Sequence, residues 1–278
     1  MSTEQPQEQL DAANAAFWAE LCGTGLARAV GVEDASAESL ARFDRAYMDL
    51  YPYLERYLPW RSGERLLEIG LGYGTVGQLL AERGLDYHGL DISPGPVGMM
   101  AHRLELLGLD GAATRAMVGS ALAIPHPDES FDVVVSIGCL HHTGDVQRSI
   151  QEVRRVLRPG GHAMVMLYNR HSYRRAVMLP VRMVLRGAWR QREARDELVR
   201  VTYDADSAGT AAPATEFTSV ADVRRLFSGF SAVDVRRENF DDFVLRIAGR
   251  DLFAIPRAVF LGNVARVAGL DLYITATR

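Results

Sequence analysis

Three groups of residues in this chain are of types and spacings that could do chemistry. The first is Glu68-Ile69-Gly70-Leu71-Gly72-Tyr73-Gly74, which follows the apolar pair Leu66-Leu67. Glycines at this density let a backbone approach a ligand more closely than any side chain would permit. The second is Asp91, just past a second stretch of strand length, Asp86 to Leu90. A carboxylate there can accept hydrogen bonds from a ribose diol, so the minimal reading is a nucleoside-containing cofactor held between Gly70 and Asp91. The third is the pair His141-His142. Imidazoles titrate near neutrality and can take or share an acceptor proton.

These residues need elements to position them. Leu66 to Ile69 reads as a buried strand, Thr75 to Arg83 as a helix closed by Gly84, and Asp86 to Leu90 as a second strand. In an open parallel sheet the ligand crevice lies beyond the carboxyl ends of such strands. Two signatures overlap at the first turn. Gly72-Tyr73-Gly74-Thr75-Val76-Gly77 fits the dinucleotide fingerprint, with Asp91 near the spacing of about 20 residues expected for it. Glu68-x-Gly70-x-Gly72-x-Gly74 fits another pattern, and text further on decides between them. Gly119-Ser120-Ala121, then Phe131-Asp132-Val133-Val134-Val135-Ser136, then Arg155-Val156-Leu157-Arg158-Pro159-Gly160-Gly161 follow in order. Over residues 45 to 168 the chain resembles the class I S-adenosylmethionine-dependent methyltransferases, of the small-molecule, type 11-like kind.

The resemblance implies an α/β fold: a Rossmann-like, seven-stranded, mostly parallel sheet with helices on both faces. It implies S-adenosylmethionine as cofactor, lined by Glu68, Gly70, Leu71, Gly72, Asp91, Ile92, Ser120, Ala121 and Gly138. Ser120 departs from the family, where an Asp commonly bonds the adenine amino group; a hydroxyl can accept that bond without the charge. The resemblance also places His141 and His142 on a turn touching cofactor and substrate, as candidate general bases. It makes N-terminal helices one wall of the substrate pocket, with Tyr47 and Tyr51 on one face, and puts Tyr168, His171, Tyr173 and Arg174 where they can meet the substrate.

The remaining chain supplies the frame. Residues 1 to 12 are polar and expected to fray. Helices are expected from Ala13 to Val30, interrupted near Gly23 and Gly25, and from about Ser36 to Leu58, broken or kinked at Pro52. Another should run from about Gly98 to Leu107, a third strand from near Thr114 to Val118, and a helix from Val146 to Leu157, N-capped by Asp145 and stopped by Pro159-Gly160-Gly161. A fifth strand, His162 to Tyr168, and two later ones, Ser231 to Arg237 and Leu272 to Thr277, should complete the sheet, the last one reversed. The organisation read from this is a helical cap at 1–60, the cofactor-binding core at 61–168, a lid insertion at 169–218 and a C-terminal completion at 219–278 with a helical insertion. Arg175, Arg182, Arg186 and Arg190 would form one basic stripe if helical; a solvated face, a lid or contact with a second copy of the chain, and an anionic ligand or membrane surface are its alternative uses. The small-residue loop from Ser207 to Ala214, flanked by Asp204 and Glu216, reads as a flap, with those two acids as further bases.

Composition narrows the function. The chain has 278 residues, 48% hydrophobic and 24% charged, with a net charge of −4. That balance gives no general attraction to nucleic acid, and no nucleic-acid module is visible. All 31 basic residues are Arg. Two cysteines, Cys22 and Cys139, match no zinc spacing and imply no disulfide framework, so no metal and a reducing, cytoplasmic setting are expected. No charged secretory start or spanning apolar run is present. The expected reaction is in-line methyl transfer to a small-molecule acceptor, oxygen being favoured by the resemblance and the histidine pair. N- or C-methylation, methylation of nucleic acid or protein, a nicotinamide-dependent oxidoreductase and a noncatalytic cofactor-binding subunit stay open.

Overall fold

The computed structural model describes residues 6–58, 61–185, 187, 190–247 and 250–278. Five strands come first: β1 (Arg65–Ile69), β2 (Asp86–Asp91), β3 (Ala116–Val118), β4 (Phe131–Ile137) and β5 (Leu157–Tyr168). They pair in parallel in the order β3-β2-β1-β4-β5. Next come β6 (Ala232–Glu238), a separate antiparallel hairpin of β7 (Phe243–Ile247) and β8 (Arg250–Ile255), and β9 (Asp271–Thr277). The last strand runs antiparallel between β5 and β6, completing a seven-stranded sheet. The carboxyl ends of β1, β2 and β4 therefore share one edge, and the start of β9 meets it at Asp271, opposite Tyr168.

Period-two alternation sorts the strand residues onto two faces. Leu67, Ile69, Val134 and Val165 belong to one core with Ile150, Val153, Val223 and Phe227. Leu66, Val133, Val135 and Met164 belong to the other, with Leu80, Met100 and Leu104. Both faces of the sheet are covered, which is why its strands read as continuous apolar runs.

The helices differ from the sequence expectation in instructive ways. α1 spans Gln7–Phe17 and α2 Thr24–Ala29, so the expected 13–30 helix is two helices joined across Gly23, which is left-handed at φ +101°. Residues 7 to 12 are helical rather than frayed, because tertiary contacts hold them; residues 1 to 5 lie outside the described residues. α3 covers Ala37–Leu50, capped by Ser36, and ends before Pro52, after which Leu54–Tyr57 form a 3-10 turn. α4 is Thr75–Glu82 and α5 Pro94–Leu106, the latter starting a turn earlier than expected because prolines suit a first helical turn. α6 (Ala112–Arg115) takes the first residues assigned to the third strand. α7 (Val146–Val156) is capped by the Asp145 side chain. It ends at Val156 and not at the glycine pair; Pro159-Gly160-Gly161 lie within the span of β5, whose register with β4 shifts between Phe131 and Val133.

α8 (Leu179–Leu185) follows a single π-turn at Arg174–Met178, and α9 (Arg192–Tyr203) follows it. The expected basic stripe is not one helical face: the Arg175 guanidinium lies 3.9 Å from the Phe217 ring centre, helix breaks separate Arg182 from Arg190, and Arg186 lies outside the described residues. α10 (Val220–Leu226) opens on a capping box between Ser219 and Asp222. The insertion before β9 was expected to be helical; it is mainly the β7–β8 hairpin, with only a four-residue α11 (Ala265–Ala268). Its apolar runs, Phe243 to Ile247 and Leu252 to Ile255, are of strand length and rich in aromatic and β-branched residues.

Candidate active site

The cleft at the carboxyl edge begins with backbone. Gly70, Gly72 and Gly74 have φ of +84°, +51° and +80°. A Cβ on Gly70 would lie 2.4 Å from the Cys139 Cβ, so glycine is required there by space as well as by conformation. Asp91 then fastens the loop. Its Oδ2 accepts from the Leu71 N–H at 2.8 Å and its Oδ1 from the Ser93 N–H at 2.9 Å. Each carboxylate oxygen retains acceptor capacity for a ligand hydroxyl. Burial raises the Asp91 pKa, against the backbone N–H groups that lower it.

Glu68 lies beneath the loop and accepts from the Tyr87 hydroxyl at 2.5 Å. Burial pushes its pKa up to about 8, with Asp91 adding to the rise. The helical cap is tied to the loop by an ion pair that the sequence reading missed. Arg103, 0% exposed, donates to both Asp44 oxygens at 2.9 Å, and the Thr75 hydroxyl donates to Asp44 Oδ1 at 2.6 Å. A signal for it existed: Asp44 falls four residues after Leu40, on the buried side of α3. The Phe43 ring stacks on Tyr73 at 4.2 Å, closing the cap over the glycines.

The cleft these elements form takes in about 1050 Å³, including the open space at its mouth. It brings together Glu68, Gly70, Leu71, Gly72, Asp91, Ile92, Ser120, Ala121 and Gly138, all nine residues expected along a cofactor. Tyr47 and His142 line it too, as do Trp18, Cys22 and Phe43, which were not foreseen. Ser120 Oγ accepts from the Leu122 N–H at 3.2 Å while lining the cleft.

The residues expected toward an acceptor divide. Tyr51, Tyr168, His171, Arg174 and His141 are not among the cleft-lining residues. Tyr51 lies under the Arg257 guanidinium, 5.5 Å from its ring centre, and His171 is exposed. Arg174 is paired with Asp241 at 2.5 and 3.0 Å, its guanidinium 4.7 Å from the Tyr203 ring centre. His141 is fully buried, its ring centre 3.9 Å from that of Tyr168, and burial holds its pKa well below the usual imidazole value.

His142 faces the cleft on a turn held from two sides. From α1, Asn14 donates to the His142 carbonyl at 2.8 Å and Gln7 to that of Thr143 at 2.9 Å. From the segment after α9, the Glu216 N–H donates to the His141 carbonyl at 2.7 Å. The Trp18 ring packs 4.9 Å from the His142 ring. Glu216 Oε1 accepts from the Val146 N–H at the start of α7, which commits it to a helix end.

Residues 67–165 match the family model described as "Methyltransferase domain". Over that stretch, about a third of its length, the chain matches a methyltransferase domain. Its relatives include the phthiotriol/phenolphthiotriol dimycocerosates methyltransferase of Mycobacterium leprae, 36% identical over 43% of this chain and 43% of that protein. The 27-O-demethylrifamycin SV methyltransferase of Amycolatopsis mediterranei is 34% identical over 44% of each. The matches span only about two fifths of the length of these relatives. Among solved structures, an S-adenosylmethionine-dependent methyltransferase from Mesorhizobium loti aligns with a TM-score of 0.51 at 21% identity, over 82% of this chain and 97% of that one. The YcgJ protein of Bacillus subtilis aligns at 0.52 with 15% identity, over 84% and 98%. These two likenesses bear on the fold. S-adenosylmethionine is the cofactor of this domain class, and the cradle suits it: glycine backbone to pass under, a carboxylate with spare acceptor capacity, and aromatic walls. No described helix is long and apolar enough to cross a membrane.

Proposed function

We propose that the protein transfers a methyl group from S-adenosylmethionine to an oxygen of a small-molecule acceptor. The observation that carries this reading is His142 on the wall of the same cleft as the glycine loop and Asp91. The cofactor supplies an electrophilic methyl group on a sulfonium. The work left to the chain is to hold donor and acceptor in line, exclude water and receive a proton. Glu68, Gly70, Leu71, Gly72, Asp91, Ile92, Ser120, Ala121 and Gly138 are assigned to the cofactor, Asp91 to its ribose. His142 is assigned as the general base; His141, buried behind it, packs and orients the turn. Tyr47 faces the acceptor from the cap. Tyr51, Tyr168, His171 and Arg174 are assigned to the acceptor side only as a surround, since they sit behind or beside the cleft wall.

We read 1–60 as cap, 61–168 as cofactor core, 169–218 as lid and 219–278 as completion of the sheet. Two free cysteines support a reducing, cytoplasmic setting. Oxygen acceptors are favoured over nitrogen or carbon because a hydroxyl needs the base that His142 offers. The test is parallel calorimetry with S-adenosylmethionine, S-adenosylhomocysteine and NAD, followed by incubation of labelled S-adenosylmethionine with a panel of small hydroxylated compounds. Binding of the two sulfur nucleosides and a mass gain of one methylene in an acceptor are expected. Binding of NAD alone would overturn the reading.

A further inference from the structure

We propose that Asp204 and His142 hold one proton as a pair, Asp204 being the lid residue that positions and tunes the imidazole. This rests on the methyl-transfer reading above and deepens it. The His142 Nδ1 lies 2.7 Å from the Ala214 carbonyl oxygen. A carbonyl can only accept, so Nδ1 carries the hydrogen and the neutral ring leaves a lone pair on Nε2. That Nε2 is buried without a hydrogen-bond partner, and 3.6 Å away is Asp204 Oδ2, also buried and without one. The other Asp204 oxygen accepts from the Tyr168 hydroxyl at 2.9 Å. Two buried acceptors facing each other are costly, and one proton between them satisfies both.

The other groups around the pair come from several elements. The His141 ring lies 4.3 Å from that of His142, and the Thr215 hydroxyl 3.5 Å from Nδ1. Arg174 acts on Asp204 through space, and Trp18 covers the ring from the cap. Burial lowers the His142 pKa and raises that of Asp204, while each partner's charge opposes that trend in the other. Both trends bring the two affinities for a proton together, so the midpoint belongs to the pair.

In the reaction the acceptor oxygen forms its bond to the methyl carbon as the carbon–sulfur bond breaks, and the sulfonium becomes a neutral thioether. The pair enters this step without its proton: the acceptor's O–H proton passes to the free Nε2 lone pair, becomes the one proton shared with Asp204, and leaves later to solvent, so that the pair is empty again for the next turnover. Because Asp204 stands at the end of α9, the basicity of His142 depends on the lid being down.

The test uses the full chain labelled with ¹⁵N-histidine, with and without S-adenosylhomocysteine, and follows the ring nitrogens against pH. The His142 signals are assigned by their loss in His142→Gln. The expected neutral tautomer carries its proton on Nδ1. In Asp204→Asn the midpoint should fall by at least about one pH unit, a tenfold loss of proton affinity. In Tyr168→Phe, which removes a donor from the carboxylate, it should rise. A neutral ring protonated on Nε2, or a midpoint unmoved by Asp204→Asn, overturns the pair. Should that variant not fold, an unmoved midpoint in Tyr168→Phe overturns it equally. Calorimetry with S-adenosylhomocysteine on the same samples separates the two levels: failure to bind refutes the methyl-transfer reading, while the titration still decides the pair.

Discussion

The two walls of the cleft are built from different materials. On the β1–β2 side the wall is backbone: three glycines at positive φ, two N–H groups on Asp91, and strands buried on both faces. On the other side it is side chains from distant segments: Trp18 and Asn14 from the cap and His142 from the turn after β4, with Asp204 and the Ala214 carbonyl of the lid behind the imidazole. A backbone wall tolerates almost no substitution, and it presents the same groups whatever the acceptor. A side-chain wall can be rebuilt piece by piece. The contrast explains why a common cofactor site can sit beside an acceptor site specific to one chain.

The contrast is sharpest where substitutions are expected to cost most. Gly70→Ala forces a Cβ into Cys139 at a left-handed position. It should destabilise the fold by about 3 kcal/mol, from the sum of overpacking and backbone strain, and abolish detectable S-adenosylhomocysteine binding. Thermal unfolding and calorimetry read both. Asp44→Ala leaves the buried Arg103 charge with no carboxylate and only the Gln78 amide oxygen, at 2.6 Å, and should cost about 3 kcal/mol on the scale of broken buried pairs. Normal stability in either variant would mean that the backbone wall is softer than its geometry implies. Asp91→Ala should come next: two N–H groups lose their acceptor, and binding of S-adenosylhomocysteine should weaken by about a hundredfold, from roughly 1–3 kcal/mol per lost partner. Unchanged affinity would remove the ribose from Asp91.

The difference between the walls also governs what could be read from sequence. The glycine loop, Asp91 and the order of the first five strands were legible, because glycine spacing and apolar runs encode backbone directly. The reversed last strand was legible through the resemblance. The pairing behind the side-chain wall was not: His142 and Asp204 are each named as candidate bases, but they are 62 positions apart and meet only through the path of the lid. Local periodicity also failed where tertiary contacts decide. Residues 7 to 12 are polar, yet Gln7 and Asn14 anchor α1 to the histidine turn. The basic spacing from Arg175 to Arg190 looked helical, yet Arg175 turns in over Phe217.

A smaller effect probes the floor beneath the loop. Glu68 has its folded pKa raised to about 8 by burial. The folded state therefore holds a proton that the unfolded state has released. The associated stability is full below the unfolded value near 4.5 and is lost as pH rises toward 8, at up to about 1.4 kcal/mol per pH unit. Glu68→Gln keeps the shape and removes the titration. Its unfolding temperature should decline less between pH 5 and 8 than that of the parent, since the buried Asp271, raised to about 7, titrates in both. Parallel profiles for the two proteins would mean that Glu68 ionises normally.

The smallest expected effect lies at the outer edge of the side-chain wall. The Ser207 N–H and hydroxyl both donate to Glu20 Oε2, at 3.1 and 2.9 Å, and all these groups are exposed. Exposed hydrogen bonds of this kind add little to global stability, so Glu20→Ala should change it by no more than about 0.5 kcal/mol. The bond nevertheless joins the loop after α9 to the segment between α1 and α2, whose Trp18 and Cys22 line the cleft. Its loss should speed proteolytic cleavage near Gly209 severalfold and leave S-adenosylhomocysteine binding unchanged. Faster cleavage with intact binding would show that the lid opens independently of the backbone wall. Weakened binding would show that the two walls are one mechanical unit, and the contrast between them would then be one of composition alone.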